Sequence, residues 1–188
     1  MTCELVAIGA SAGGVQALSH VLPMLAADYP HAIAVVVHVP PRKENALVRL
    51  FSEKCRMRVK EAEDKEPLRP GTIYFAPPDY HLLVETDHTL ALSTEEPVNH
   101  SRPAIDVLFE TAADAFGPDV TGVIMTGANH DGASGLQAIA SMGGTALIQD
   151  PATAEMAAMP EAAVEACENA QIMTLDEIAA HLADMVAP

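Results

Sequence analysis

Short, continuous apolar runs alternate with stretches of helical spacing along most of the chain. Leu5-Val6-Ala7-Ile8, Ala32 to Val37, Thr72 to Ala76, Val120 to Met125 and Thr145 to Gln149 read as strands buried on both faces. Between them, Val15 to Leu25, Glu44 to Glu53 and Ala133 to Met142 carry helical periodicity. Gly9 to Gly14 reads as a turn, and Pro40-Pro41 stops the second strand. His81 to Glu85 and Thr89 to Ser93 flank Thr86-Asp87-His88, a pattern that suits a hairpin. Ser101 is the expected cap of a helix running to about Phe116, with Pro103 in its first turn and Gly117-Pro118 at its end. The Ala-rich remainder reads as helix broken at Pro160 and around Asn169.

This rhythm predicts an α/β fold: a doubly wound, mostly parallel sheet with helices on both faces and a short antiparallel hairpin. No repeat, low-complexity tract or linker interrupts the 188 residues, so residues 1–188 are expected to form one domain. In such sheets ligands bind beyond the carboxyl ends of the strands. Three strand ends carry chemistry. The first runs into Gly9-Ala10-Ser11-Ala12-Gly13, a Gly-x-Ser-x-Gly turn between strand and helix. Small neighbours let the Ser11 hydroxyl stand clear, and a helix N-terminus favours an anion at the same point. A tight phosphate-binding turn is the competing reading. A dinucleotide site fits poorly, because the middle glycine is a serine and the second strand ends in Val37-His38-Val39-Pro40 without an acidic residue.

His38 at that second strand end is placed to serve as general base for Ser11. The third strand end, Thr126-Gly127-Ala128-Asn129-His130-Asp131-Gly132, puts Asp131 before a helix, where it could be a simple cap or could orient an imidazole. Of the other histidines, only His130 shares a strand-end position. Ser, His and Asp at three strand ends of one sheet make a nucleophile, base and acid set.

Taken together, several blocks resemble the catalytic domain of the chemotaxis protein-glutamate methylesterase (CheB) family. They are Ile8 to Gly14, His38-Val39-Pro40-Pro41, Gly71 to His81, Arg102-Pro103-Ala104-Ile105-Asp106-Val107-Leu108-Phe109, Thr126 to Ala133, and Ala158-Met159-Pro160. The resemblance implies Ser11 as nucleophile, His38 as base and Asp131 as acid. It also implies oxyanion and substrate contacts around Ala12, Gly13, Ala128, Asn129, Arg102 and Met159. The implied reaction is hydrolysis of glutamate γ-methyl esters on chemoreceptor helices, with deamidation of certain glutamines as a second activity. No metal or organic cofactor is implied. The order Ser, His, Asp along the chain differs from that of ordinary lipase-like hydrolases. Two departures stand out: the chain starts at the first catalytic strand without the family's usual receiver domain, so that it either stands alone or is an excised domain, and Ala128 replaces a methionine of the usual loop. A separate receiver-domain protein is therefore an expected partner. A non-catalytic docking module and a small-molecule carboxylesterase are the alternative functions.

Composition narrows the partners. Asp and Glu number 26 against 10 Lys and Arg, for a net charge of −16. Such a surface disfavours nucleic acid and anionic membranes. No apolar run is long enough to span a bilayer, the N-terminus lacks a basic signal start, and three cysteines without metal-type spacing read as free thiols. These features predict a cytoplasmic protein. No Lys or Arg follows Arg102, whereas Arg42 to Lys60 is rich in both. That stretch directly follows His38 and is the expected source of positive surface beside the site.

Overall fold

The computed structural model describes residues 4–38 and 46–185. The elements in chain order are β1 (Leu5–Ala10), α1 (Gly14–Val21), β2 (Ala32–Val37), α2 (Ala46–Lys54), β3 (Arg58–Glu61), β4 (Thr72–Phe75), β5 (His81–Val84) and β6 (Leu90–Ser93). There follow α3 (Ile105–Phe116), β7 (Val120–Ile124), α4 (Ala133–Ser141), β8 (Thr145–Gln149), α5 (Ala158–Ala166), β9 (Gln171–Met173) and α6 (Leu175–Asp184). Seven strands form one sheet in the order β3-β4-β2-β1-β7-β8-β9, and every pairing in it is parallel. The remaining pair, β5-β6, is the antiparallel hairpin the sequence predicts.

Side chains alternate between two apolar layers, as the pleat requires. Val6, Ile8, Ile33, Val35 and Leu147 pack with α1, α2 and α6 on one face. Leu5, Ala7, Ala34, Val36 and Ile148 pack with α3, α4, α5 and the hairpin on the other. The three central strands are buried throughout because both faces are covered, and Thr121 of β7 is their one polar residue. β1 lies at the middle, with β2 on one side and β7 on the other, so the chain winds outward in both directions from β1. The crevice between the carboxyl ends of β1 and β7 is where such a sheet opens to ligands.

The fold corrects several boundaries. Ser101 does not cap a helix: its backbone pairs with Val98, and the helix begins at Ile105 behind Ala104, which has no side chain able to cap. The cap arrives from a distant part of the chain, described below. Pro160 does not break the last helical region. It sits in the first turn of α5, where its missing N–H has no helical partner to lose. Two strands escape the apolar pattern, β3 (RVKE) and β9 (QIM), because they are edge strands of which half or more of the residues are exposed. The helix after His38 runs over Ala46–Lys54. The expected Pro40-Pro41 stop and the Glu44 start lie outside the described residues.

α3 and α4 approach closely enough to exchange hydrogen bonds. The approach depends on Gly135: a Cβ there would lie 2.6 Å from Phe109 Cβ and 3.1 Å from the Asp106 Cα, both fixed parts of α3. Gly135→Ala should therefore wedge the two helices apart and destabilise the fold by about 1–3 kcal/mol. Urea unfolding of wild type and variant measures this directly, and unchanged stability would show that the helix contact can relax.

Candidate active site

Ser11 leaves β1 through a turn held on both sides. Its N–H donates to the Thr126 carbonyl (3.0 Å), and its carbonyl accepts from the Gly14 N–H (2.8 Å). Gly13 occupies the left-handed region at φ 80°, which glycine enters without steric cost, and the chain passes directly into α1. In a trans peptide the carbonyl and the following N–H point in opposite directions. Engagement of the Ser11 carbonyl inside the turn therefore turns the Ala12 N–H outward. Among the described residues, neither the Ala12 nor the Gly13 N–H has a protein acceptor. Thr126 braces the turn from below: its hydroxyl donates to the Ala12 carbonyl (2.9 Å) and accepts from the Met156 N–H (2.9 Å).

A second free donor arises in the loop after β7. The Gly127 carbonyl accepts from the Met159 N–H at 3.0 Å, so the Ala128 N–H is directed the other way and has no acceptor among the described residues. Ala12 and Ala128 are both exposed. Met159 is fully buried against Gly127. The Arg102 guanidinium is already engaged, with Asp79 Oδ1 (2.8 Å) and with the Thr94 and Glu95 carbonyls (3.0 Å each). It ties the loop before α3 to the loop before the hairpin.

His38 stands at the end of β2, its N–H held by the Ala10 carbonyl (3.1 Å). Its Nε2 lies 2.8 Å from Asp131 Oδ2. Asp131 is completely buried and accepts more than this bond. Oδ2 also accepts from the Ile105 N–H (2.7 Å), and Oδ1 from the Asp106 N–H (3.1 Å) and Asn99 Nδ2 (2.8 Å). Asp131 thus caps the N-terminus of α3 from the loop before α4. The exchange is mutual, since Asp106 in the first turn of α3 accepts from the Gly135 N–H of α4 at 2.7 Å. Burial alone would raise the Asp131 carboxyl, but the bonds from His38, Ile105, Asn99 and Asp106 outweigh it and hold the group below the usual carboxylate range.

A carboxylate on Nε2 fixes the proton there and leaves Nδ1 as the basic nitrogen of the neutral ring. Asn129 lies on that side. Its Oδ1 accepts from the Asp131 N–H (3.0 Å), so its Nδ2 faces His38 Nδ1, at 3.4 Å. The structure therefore brings His38, Asn129 and Asp131 into one hydrogen-bonded unit. Among the described residues, no hydrogen bond joins Ser11 Oγ to His38. His130 is exposed, and its ring nitrogens meet no partner among the described residues. Sequence reasoning misses Asn99, whose only signal is a polar loop, and the Thr126 hydroxyl, which reads as an ordinary strand-end threonine.

Other candidates recede. Burial pushes the Cys55 thiol up to about 11 and raises Cys167, so neither resembles an activated thiolate. Among the described residues, no group of three or more His, Cys, Asp or Glu is placed to hold a metal ion. The later half of the basic stretch runs away from His38. Lys54, Arg56 and Arg58 lead into the start of β3, which pairs with Thr72 at the opposite, amino-terminal edge of the sheet. Lys60 is neutralised by Glu63 (3.0 Å) and Glu66 (2.7 Å). Arg42 and Lys43 lie outside the described residues.

A serine on a strand-to-helix turn, outward N–H groups beside it, and a histidine at the end of the neighbouring strand held by a buried carboxylate are the parts from which serine hydrolases build their sites. The family profile described as CheB methylesterase matches residues 6–182, and the chain belongs to that family. The crystal structure of the Thermotoga maritima CheB methylesterase catalytic domain superposes with a TM-score of 0.93 at 30% identity, covering 99% of this chain and 100% of that one. A Leptospira interrogans protein, whose name includes the words protein-glutamate methylesterase/protein-glutamine glutaminase, is 46% identical over 95% of this chain and 93% of its own length. The Maricaulis maris protein-glutamate methylesterase/protein-glutamine glutaminase is 36% identical over 93% of this chain but only 44% of its own length. The chain thus spans nearly all of one such relative and less than half of another.

The buried Asp131 makes a prediction about pH. A carboxyl held below its unfolded value stabilises the fold fully above about pH 3.9, the unfolded Asp value, and that contribution is lost as pH falls through the folded value. Asp131→Asn should be less stable than wild type near neutrality, with the gap narrowing below about pH 4. Denaturant unfolding across this range reads the gap, and a gap independent of pH would contradict an ionised Asp131.

Proposed function

We propose that this protein is a serine hydrolase that removes methyl esters from glutamate side chains of chemoreceptors, with glutamine deamidation as a second activity of the same site. The observation that carries the reading is the His38–Asp131 pair beside the free N–H groups of the Ser11 turn. Family membership and the names of the relatives support the same substrate class.

In this reading Ser11 Oγ attacks the side-chain carbonyl carbon while His38 Nδ1 takes its proton. The Asn129 contact to Nδ1 is long and gives way as the serine hydrogen bond forms. The tetrahedral oxyanion sits against the Ala12 N–H, with Gly13 and Ala128 as the further donors. Asp131 stabilises the imidazolium and keeps the second proton on Nε2. His38 returns its proton to the departing group as the bond to the acyl carbon breaks, so that an ester releases methanol and a glutamine amide releases ammonia. Water then repeats the sequence on the acyl-enzyme and regenerates Ser11. Met159 and Arg102 contribute by holding the loops that carry these groups. No step draws on a metal or organic cofactor.

One catalytic domain, residues 1–188, acting in the cytoplasm under the control of a separate receiver-domain protein completes the proposal. No described helix is long and apolar enough to cross a membrane, which agrees with that location.

Ser11→Ala and His38→Ala should each lower methanol release from a methylated receptor by at least about 10³-fold, with unfolding midpoints close to wild type. Full activity in Ser11→Ala would refute the assignment. Wild-type protein that releases no methanol and resists labelling by a sulfonyl fluoride would indicate a docking module. Turnover of nitrophenyl esters far above that of receptor esters would indicate a small-molecule esterase.

A further inference from the structure

Two carboxylates are buried together next to the site, and one amide joins them. Asp131 is wholly buried and Asp106 is 7% exposed. Asn99 Nδ2 donates to Asp131 Oδ1 at 2.8 Å and to Asp106 Oδ2 at 2.7 Å, so oxygens from both carboxylates share one nitrogen. The backbone of Asn99 is left-handed, φ 51°, and that of His100 is as well, φ 61°. Asn tolerates this region better than most residues, but two such residues in succession are uncommon. The strained loop is retained where its side chain meets both acids.

Like charges this close in a buried site ordinarily force one group to take a proton. A protonated Asp131 would no longer hold the imidazole as an acceptor. We propose that Asn99 is a positioning residue, which keeps Asp131 ionised and aimed at His38 by placing its NH2 group between Asp131 and Asp106. This role rests on the hydrolase reading of the site and extends it. Asn99 does not itself touch the reacting atoms. It acts by satisfying one oxygen of each carboxylate, joined on Asp131 Oδ1 by the Asp106 N–H, while the N–H groups of Ile105 and Gly135 satisfy the other oxygen of Asp131 and of Asp106. The titratable groups facing Asp131 are His38 across its hydrogen bond, Asp106 across Asn99, and Glu110 one turn further along α3. His81 lies behind the helix start, accepting from the Ala104 N–H.

The test uses Asn99→Ala, Asp106→Asn and the double variant, all checked for cooperative unfolding. Asn99→Ala should lower kcat on the order of 10²-fold with little change in KM, and shift the acid limb of the kcat/KM profile to higher pH. Asp106→Asn alone should also lose activity, because its new NH2 group would oppose that of Asn99. In the double variant the amide at position 99 is gone, but so is the charge at position 106, and Asp131 no longer faces a second carboxylate. Activity and the acid limb should therefore return towards wild type, a non-additive rescue that simple loss of packing does not produce. Losses that multiply, or an unchanged pH profile in Asn99→Ala, would overturn the proposal. Carbon-13 NMR titration of the Asp131 carboxyl provides a readout without turnover. An upward move in Asn99→Ala supports the proposal even where wild type proves inactive on receptor esters, an outcome that would reject only the hydrolase reading.

Discussion

The site depends on where one carboxylate is buried. Asp131 is fully removed from solvent, and a lone ion there would be strongly disfavoured. It is tolerated because four donors converge on it: the His38 ring, the Asn99 amide and two N–H groups at the start of α3. The same four contacts fix the rest of the site. They set the start of α3, draw the loop after β7 across the carboxyl ends of β1 and β2, and choose the tautomer of His38. Most buried carboxylates at helix starts are caps and nothing more. Here one group is both the cap of α3 and the partner of the histidine, so the geometry that stabilises the helix also orients the imidazole.

A second constraint comes from the peptide planes. The turn after β1 and the loop after β7 each commit a carbonyl to the interior, at Ser11 and at Gly127. The following amides then have no partner among the described residues and turn outward. Thr126 couples the two segments through its hydroxyl and its carbonyl. The donors that would meet an oxyanion are thus positioned by hydrogen bonds made on the far side of the same peptides. Such an arrangement is prepared before any substrate arrives and needs little reorganisation during reaction.

Much of this is legible in the sequence, and the physical reasons are particular. The three central strands are buried on both faces, so β1 and β2 appear as continuous apolar runs and β7 as one interrupted only by Thr121, and their ends point to Ser11, His38 and Asp131. The edge strands β3 and β9 are half exposed and carry no such run, so the pattern hides them. The start of α3 is misplaced in sequence for a related reason. Ser101 offers a local cap, whereas the acceptor is Asp131, far along the chain, and only tertiary structure can bring it there. Asn99 escapes notice because a loop asparagine with two buried partners looks the same in sequence as one in water. The basic stretch after His38 misleads in the opposite way. Nearness in sequence suggests nearness in space, but α2 carries its later half back to the other edge of the sheet.

The central claim is that Asp131 is ionised and holds His38 with its proton on Nε2, leaving Nδ1 free to act as base. Nitrogen-15 NMR of the imidazole at neutral pH tests this most directly. The account predicts a protonated Nε2, its proton shifted far downfield by the Asp131 hydrogen bond, and an unprotonated Nδ1 in the resting protein. A neutral ring carrying its proton on Nδ1, with Nε2 unprotonated towards Asp131, would contradict it.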